Sequence, residues 1–180
     1  MKYVGVFCVG NIFRSVTAEH FLQRELEKLG SKAKVFSAGL SVYGKGEEKW
    51  LKAHPHVQKH LRSKDFHSVS LHQAKPLWLV EDKVQEADFL FTTTVAQKLY
   101  LIDLLDNKGL ATSKVFTLKG FASGKEQGLS LGELVERRDE FDIKDLAFDS
   151  PEKDYQAAFK EIEECCRKTA EKIVKGAVAN

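Results

Sequence analysis

Residues 3–15 read YVGVFCVGNIFRS, and this stretch organises the rest of the chain. Tyr3 to Phe7 is an apolar, β-rich run typical of a buried parallel strand, and a helical pattern begins near Ser15. The residues between them therefore form a tight loop from a strand end to a helix N-terminus. Backbone N–H groups at a helix start have no intrahelical partner and the helix dipole adds partial positive charge, so this loop suits an anion.

Two side chains add chemistry to the loop. Arg14 carries a planar guanidinium that can hold two oxygens of a phosphate group. Cys8 lies in the same positive field, which favours its thiolate form. The stretch therefore predicts a nucleophile beside a phosphate-binding loop.

Strand and helix patterns alternate along the remaining chain. Strands are predicted at 3–8, 34–39, 89–93 and 114–118, and helices at 15–29, 47–62, 82–86, 95–105, 155–174 and, more weakly, 130–138. Pro55 is expected to start, kink or end a segment within 47–62. Parallel strands need helical crossovers, so we predict a three-layer α/β fold, a four-stranded parallel twisted sheet with helices on both faces. No linker or repeat divides the chain, and one domain over residues 1–180 is expected.

Composition narrows the function classes. The chain is 43% hydrophobic and 30% charged with a net charge of +2, which argues against a nucleic-acid or membrane partner. It moves directly into a strand pattern without a signal-peptide core, and its three cysteines form no disulfide framework. A cytoplasmic protein, monomeric or weakly homo-oligomeric, is expected.

No cofactor or metal is expected. Neither of the glycine-rich nucleotide-binding motifs occurs in the sequence. His54, His56 and His60 include an i, i+4 pair that could bind a metal, but no cysteine or acidic cluster accompanies them. We therefore expect a solvated helix face. The adjacent Cys165 and Cys166 cannot readily form a disulfide on a helix, and Cys166 falls on its apolar face.

The loop, with Gly10, Asn11 and Ser15 in place, resembles that of the low-molecular-weight protein tyrosine phosphatase family, which reads C-x-G-N-x-C-R-S-P. The resemblance covers nearly the whole chain. Its further matches are Ala18-Glu19, Ser37-Ala38-Gly39, Tyr43, Gly46, His72, Asp88-Phe89-Leu90 and Tyr155-x3-Phe159-x2-Ile162. Two positions depart from the family pattern. Phe13 replaces a second cysteine, which excludes a disulfide between neighbouring thiols, and Val16 replaces a proline.

The resemblance implies a two-step dephosphorylation without a cofactor. Cys8 would attack phosphorus to give a phosphocysteine, and water would then release inorganic phosphate. Arg14 would hold the phosphate oxygens together with the loop residues Val9, Gly10, Asn11, Ile12, Phe13 and Ser15. By resemblance, Asn11 keeps the loop in its strained shape, and Ser37 and His72 brace it.

A proton donor is needed because a phenolate leaves poorly at neutral pH. The family has an Asp-Pro-aromatic segment before the final helix, and this sequence lacks that tripeptide. Asp145 fits the family spacing with one inserted residue. Asp149 fits only with a three-residue deletion, although Pro151 follows closely. We prefer Asp145 and keep Asp149 as the alternative.

Substrate choice depends on the walls of the site. Ile12 and Tyr43 could flank an aryl ring, and Phe148 could supply the aromatic that the family places after its acid. This favours a phosphotyrosine-containing protein, since relatives acting on phosphoarginine have threonine in place of Ile12. The alternatives are a phosphoarginine phosphatase or an arsenate reductase of the same fold, and a phosphate-binding regulatory module without turnover.

Overall fold

Four parallel strands form one sheet in this computed structural model, which describes residues 1–42 and 51–178. The strands are β1 (Tyr3–Cys8), β2 (Lys34–Gly39), β3 (Ala87–Thr92) and β4 (Val115–Thr117). Their spatial order is β2-β1-β3-β4, and every pair is parallel. Both the predicted fold class and the four predicted strands are confirmed.

Helices lie on both faces of this sheet. They are α1 (Arg14–Lys28), α2 (Pro55–Arg62), α3 (Glu81–Glu86), α4 (Val95–Asp106), α5 (Leu118–Ser123), α6 (Leu131–Glu136), α7 (Arg138–Phe141) and α8 (Glu152–Val178). Short 3₁₀ turns cover His67–Leu71 and Leu77–Val80.

Several helix boundaries differ from prediction. Pro55 is the first residue of α2, where its missing N–H and fixed φ suit a helix start. The helix predicted weakly at 130–138 is two helices that meet at Arg137. The last helix begins at Glu152, three residues before the predicted Tyr155, with acidic residues in its first turn.

The core has two parts, one on each face of the sheet. On one face, α1 and α8 cover Val4, Val6 and Phe91, all fully buried. On the other face, Phe7, Leu90 and Leu101 pack together beneath α3 and α4. Consecutive β1 residues alternate between these layers because neighbouring side chains of a strand point to opposite faces.

The topology fixes the position of the loop after β1. Strand β1 connects to β2 on one side, and the chain then crosses to β3 on the other side of β1. Open parallel sheets bind ligands where the strand order reverses in this way, beyond the carboxyl ends of the strands. Cys8 is the last residue of β1 and therefore lies at that crevice.

Within the part of the chain described, none of the helices has the length and apolar character needed to cross a bilayer.

Candidate active site

The loop after β1 contains an unusual backbone conformation at Asn11. Its φ is +51°, a left-handed value that asparagine tolerates better than most residues. Gly39, opposite the loop on β2, permits the close approach. A Cβ added there would lie 2.6 Å from the carbonyl oxygen of Val9 and 3.2 Å from the amide nitrogen of Asn11. A larger residue at position 39 would push the loop away from the sheet.

Asn11 is fully buried, and both the nitrogen and the oxygen of its side-chain amide form hydrogen bonds. Its Nδ2 donates to Ser15 Oγ over 3.0 Å and to Ser37 Oγ over 2.8 Å. Its Oδ1 accepts from the amide of Lys75 over 2.9 Å. Asn11 therefore joins the loop to α1, to β2 and to the segment that precedes the second 3₁₀ turn.

The hydrogen bonds around Asn11 have a defined direction. The Ser37 hydroxyl donates to the Glu19 carboxylate, so its oxygen is free to accept from Asn11. Ser15 Oγ also accepts from Asn11 and lies 3.0 Å from Cys8 Sγ. The Ser15 proton is consequently available to the sulfur, and a hydrogen bond to a thiolate stabilises its charge.

His72 braces the loop from the outside. Its Nε2 lies 2.9 Å from the carbonyl oxygen of Asn11 and donates to it. Burial, the largest cause, lowers the pKa of His72 below its usual value. The neutral ring with its proton on Nε2 is therefore the form that makes this bond. The structure thus brings Ser37 and His72, both predicted to support the loop, into direct contact with Asn11.

Arg14 and Asp145 form an ion pair at the mouth of the loop. Arg14 is only 3% exposed, and its guanidinium donates to Asp145 Oδ2 over 2.6 Å and to the carbonyl oxygen of Ile143 over 3.2 Å. The Asp145 side chain is 64% exposed. A buried cation with one exposed carboxylate partner can exchange that carboxylate for another anion.

The two candidate acids have different positions. Asp145 lines a pocket of about 270 Å³ together with Cys8 and Arg14, whereas Asp149 is exposed and does not line it. Asp149 lies near enough to Tyr155 for its charge to contribute to raising the pKa of that phenol, behind the larger effect of burial.

The walls of this pocket are mostly apolar or aromatic. The remaining lining residues are Val9, Gly10, Ile12, Phe13, His54, Leu146, Phe148 and Tyr155. Phe148 is 69% exposed and follows Asp145 at the rim. Tyr43, the other predicted wall, lies outside the described residues.

Phe13 contributes to the core as well as to the loop. Its ring packs edge-on against Tyr155 and Phe159 of α8, at centroid distances of 5.5 Å and 5.6 Å. Phe13, which stands where the family has a second cysteine, therefore packs the loop against the last helix. Cys166 is buried on the face of α8 that meets α1, as expected, and its thiol lies 3.6 Å from the carbonyl oxygen of Ala18.

The prediction that the three histidines of this region lie on a solvated helix face is wrong. His54 is 5% exposed and lines the pocket, and His60 stacks on Phe159 at 4.0 Å with its Nε2 2.7 Å from Glu163. His56 lies on Tyr155 and pairs with Glu152. The physical reason is α8, whose aromatic side chains and carboxylates cover this face of α2. His54, Leu146 and Tyr155 line the pocket but were not predicted as site residues. The one local signal for His54 was its position directly before Pro55.

Comparison with known proteins identifies the family of this chain. The chain belongs to the low molecular weight phosphotyrosine protein phosphatase family, whose model matches residues 3–179. The family resemblance is therefore confirmed over almost the whole chain. No curated protein sequence matches the chain.

Solved structures of similar fold include enzymes with two specificities in their names. A low molecular weight protein tyrosine phosphatase from Bacillus subtilis is 27% identical, with a TM-score of 0.71 over 96% of this chain and 97% of that one. The YwlE arginine phosphatase from Geobacillus stearothermophilus is 24% identical, with a TM-score of 0.74 over 100% and 97%. A low molecular weight protein tyrosine phosphatase from T. tengcongensis is 23% identical, with a TM-score of 0.73 over 96% and 99%.

Proposed function

We propose that this protein hydrolyses phosphotyrosine in proteins, and aryl phosphates, through a phosphocysteine on Cys8. The observation that carries the proposal is the grouping of Cys8, Arg14 and Asp145 around one pocket. Ser15 Oγ lies 3.0 Å from the Cys8 sulfur and supports its thiolate. The family membership supports phosphatase chemistry in general.

The first step transfers the phosphoryl group to the enzyme. The Cys8 thiolate forms a bond to phosphorus while the bond from phosphorus to the phenolic oxygen breaks. Arg14 and the loop amides bind the non-bridging oxygens, whose charge they stabilise most strongly in the transition state. Protonated Asp145 gives its proton to the departing phenolic oxygen.

The second step releases inorganic phosphate. Asp145, now a carboxylate, takes a proton from a water molecule as the water oxygen attacks phosphorus. The bond from sulfur to phosphorus breaks and returns the Cys8 thiolate. Before the first step, substrate phosphate would replace Asp145 at the Arg14 guanidinium. The displaced carboxylate would take up a proton from solvent and lie beside the leaving oxygen.

The apolar lining favours an aryl substrate. Ile12, Leu146 and Phe148 border the pocket, and a tyrosine ring would bury their surface. A cytoplasmic phosphoprotein is the expected partner, since free thiols such as Cys8 persist in a reducing compartment.

A phosphoarginine substrate is the second candidate. Its support is the similarity of fold to proteins named arginine phosphatases. The apolar side chain of Ile12, which lines the pocket, favours the aryl substrate instead.

Arsenate reduction receives less support. It needs further cysteine thiolates in relay from Cys8. Cys165 and Cys166 are buried on α8, and burial raises the pKa of Cys165 to about 11 and that of Cys166 well above its usual value.

Phosphate release from phosphotyrosine, phosphoarginine and phosphoserine peptides, measured side by side, tests the proposal. We expect turnover of phosphotyrosine to exceed that of the other two, and Cys8→Ser to abolish it. Cys165→Ser, a buried thiol outside the pocket, is the matched control and should retain activity. Turnover by Cys8→Ser would contradict the phosphocysteine route. Preference for phosphoarginine would support the second candidate, and phosphate binding without turnover would indicate a regulatory module.

A further inference from the structure

His54 connects three elements that surround the pocket. Its backbone N–H donates to the carbonyl oxygen of Ile12 over 2.8 Å, which ties it to the phosphate loop. Its side chain caps α2, because Nδ1 accepts from the amide of His56 over 3.3 Å. Its Nε2 lies 3.3 Å from the hydroxyl of Tyr155 on α8.

The cap determines which nitrogen of His54 carries the proton. An Nδ1 that accepts a hydrogen bond is unprotonated, so a neutral ring has its proton on Nε2. That proton points toward the Tyr155 oxygen. The Tyr155 hydroxyl in turn donates to the carbonyl oxygen of Ala147 over 2.8 Å. The result is a directed chain from the imidazole, through the phenol, to the backbone of the segment that follows Asp145.

The same imidazole also contacts the pocket rim. Its ring meets Phe148 edge-on at a centroid distance of 4.3 Å and stacks on Tyr155 at 5.1 Å. The 145–148 segment has few buried side chains: Asp145 and Phe148 lie mostly in solvent, and Leu146 is partly buried against the core. The position of this segment therefore depends on few buried contacts. His54 supplies one of them directly, to Phe148, and one through the Tyr155 hydroxyl, to the backbone of Ala147.

We propose that His54 is a positioning residue that holds the 145–148 segment against the phosphate loop through Tyr155 and Phe148. The consequence is that Asp145 stays within reach of the leaving oxygen. This role rests on the proposed phosphatase function. It adds to that function a residue that the phosphate-loop motif does not contain.

The charged surroundings are consistent with a neutral His54. On its own element the ring faces His56, which is itself paired with Glu152 of α8. Across the pocket stand Arg14 and Asp145, which neutralise each other. Burial, followed by the nearby His56, lowers the pKa of His54 below its usual value.

Two substitutions of His54 separate its contacts. An asparagine side chain reaches about as far as Nδ1, and asparagine is a favoured helix cap. His54→Asn should therefore keep the cap of α2 but lose the hydrogen bond to the Tyr155 hydroxyl. A glutamine amide reaches about as far as Nε2, so His54→Gln restores a donor toward the Tyr155 hydroxyl. His60→Asn is the matched control, because His60 of α2 is stacked on Phe159 and mostly covered but does not line the pocket.

The readout is kcat/KM on a series of aryl phosphates, because this constant reports the first transfer to Cys8. A proton donor matters most for poor leaving groups such as phenol. We expect His54→Asn to lower kcat/KM on phenyl phosphate about tenfold or more, a fraction of the full contribution of general acid catalysis. The effect on a good leaving group such as 4-nitrophenol should be much smaller. Inorganic phosphate should inhibit this variant at least as strongly as the unmodified protein, because a displaced Asp145 no longer competes for Arg14. His54→Gln should recover most of the loss.

A second measurement locates the effect. In an Asp145→Asn background, His54→Asn should cause no further leaving-group-dependent loss, because residues that act as a unit are not additive. Equal losses on good and poor leaving groups, or weaker phosphate binding, would show that His54 acts on the loop or the fold and would overturn the positioning role. An unmodified protein without turnover would overturn the phosphatase function and this role together.

Discussion

The guanidinium of Arg14 and the carboxylate of Asp145 are joined over 2.6 Å across 131 positions of sequence. Arg14 is buried, and its Nη2 group donates to a carboxylate on an exposed segment. A phosphate dianion that enters the pocket competes for the same N–H group. The pair therefore connects phosphate binding with the release of the side chain that we propose as proton donor.

We predict that Asp145→Asn binds inorganic phosphate several-fold more tightly than the unmodified protein. The substitution removes both the competitor at Arg14 and a negative charge that repels the ligand. The same variant should turn over phenyl phosphate about 10²- to 10⁴-fold more slowly, since general acid catalysis contributes about that much. Inhibition constants for phosphate and initial rates measure the two effects. Asp149→Asn is the matched control, and if that variant shows the slow turnover instead, Asp149 is the acid.

Asn11→Ala should destabilise the fold by about 4–5 kcal/mol. It removes three hydrogen bonds to Ser15, Ser37 and Lys75, each worth about 1 kcal/mol. It also places alanine at φ +51°, which costs about 1–2 kcal/mol. Denaturant unfolding measures the change. Asn11→Gly loses the same hydrogen bonds without this steric cost, so it should be the more stable of the two variants, and the reverse order would contradict strain at this position.

Stability should fall as the pH drops below about 6.5, the usual pKa of histidine. The pKa values of His54 and His72 are lowered in the folded state, mainly by burial. Below 6.5 the unfolded chain therefore binds more protons than the folded one, and unfolding is favoured until the pH passes the folded pKa values. Above 6.5 both states are neutral and this contribution is fully present. Thermal unfolding from pH 7.5 to 5 should show a shallower loss for His54→Gln, and an unchanged slope would exclude His54 as a cause.

Glu126 and Lys98 form a buried ion pair away from the pocket. Glu126 also accepts from the amide and the hydroxyl of Thr117 at the end of β4, over 2.9 Å and 2.8 Å. Breaking a buried pair leaves an uncompensated charge and costs about 3–5 kcal/mol. We expect Glu126→Gln to lose about that much unfolding free energy while kcat of the folded protein changes little. Glu140→Gln, at an exposed pair with Arg137, should change the unfolding free energy far less, because solvent screens an exposed ion pair.

Local sequence patterns predicted most of the elements. The strands from Tyr3 and Lys34 have the predicted bounds, because an apolar run between turn residues is a property of neighbouring positions. The helix predicted from Ser15 begins at Arg14. Boundaries were less accurate where charged side chains form the first turn, as at Glu152.

Long-range contacts account for the errors. His54 was predicted to lie on a solvated face because no cysteine or acidic cluster accompanies the three histidines in sequence. Its burial comes from Tyr155, 101 positions away on α8, which sequence periodicity cannot report. The spacing argument for Asp145 over Asp149 depended on counting insertions in a loop. The roles of both carboxylates stay predictions, although their positions are now distinguished by the ion pair with Arg14.

The sequence by itself determined the parallel sheet and the loop that joins Cys8 to Arg14. Both follow from short-range physics, namely the burial pattern of one strand and the unpaired N–H groups of the helix after it. Only the tertiary structure decided which carboxylate meets Arg14 and that an imidazole closes the pocket beside Phe148. Those contacts join residues about 100 or more positions apart, and their geometry is set by how α2, α8 and the 145–148 segment pack around the end of β1.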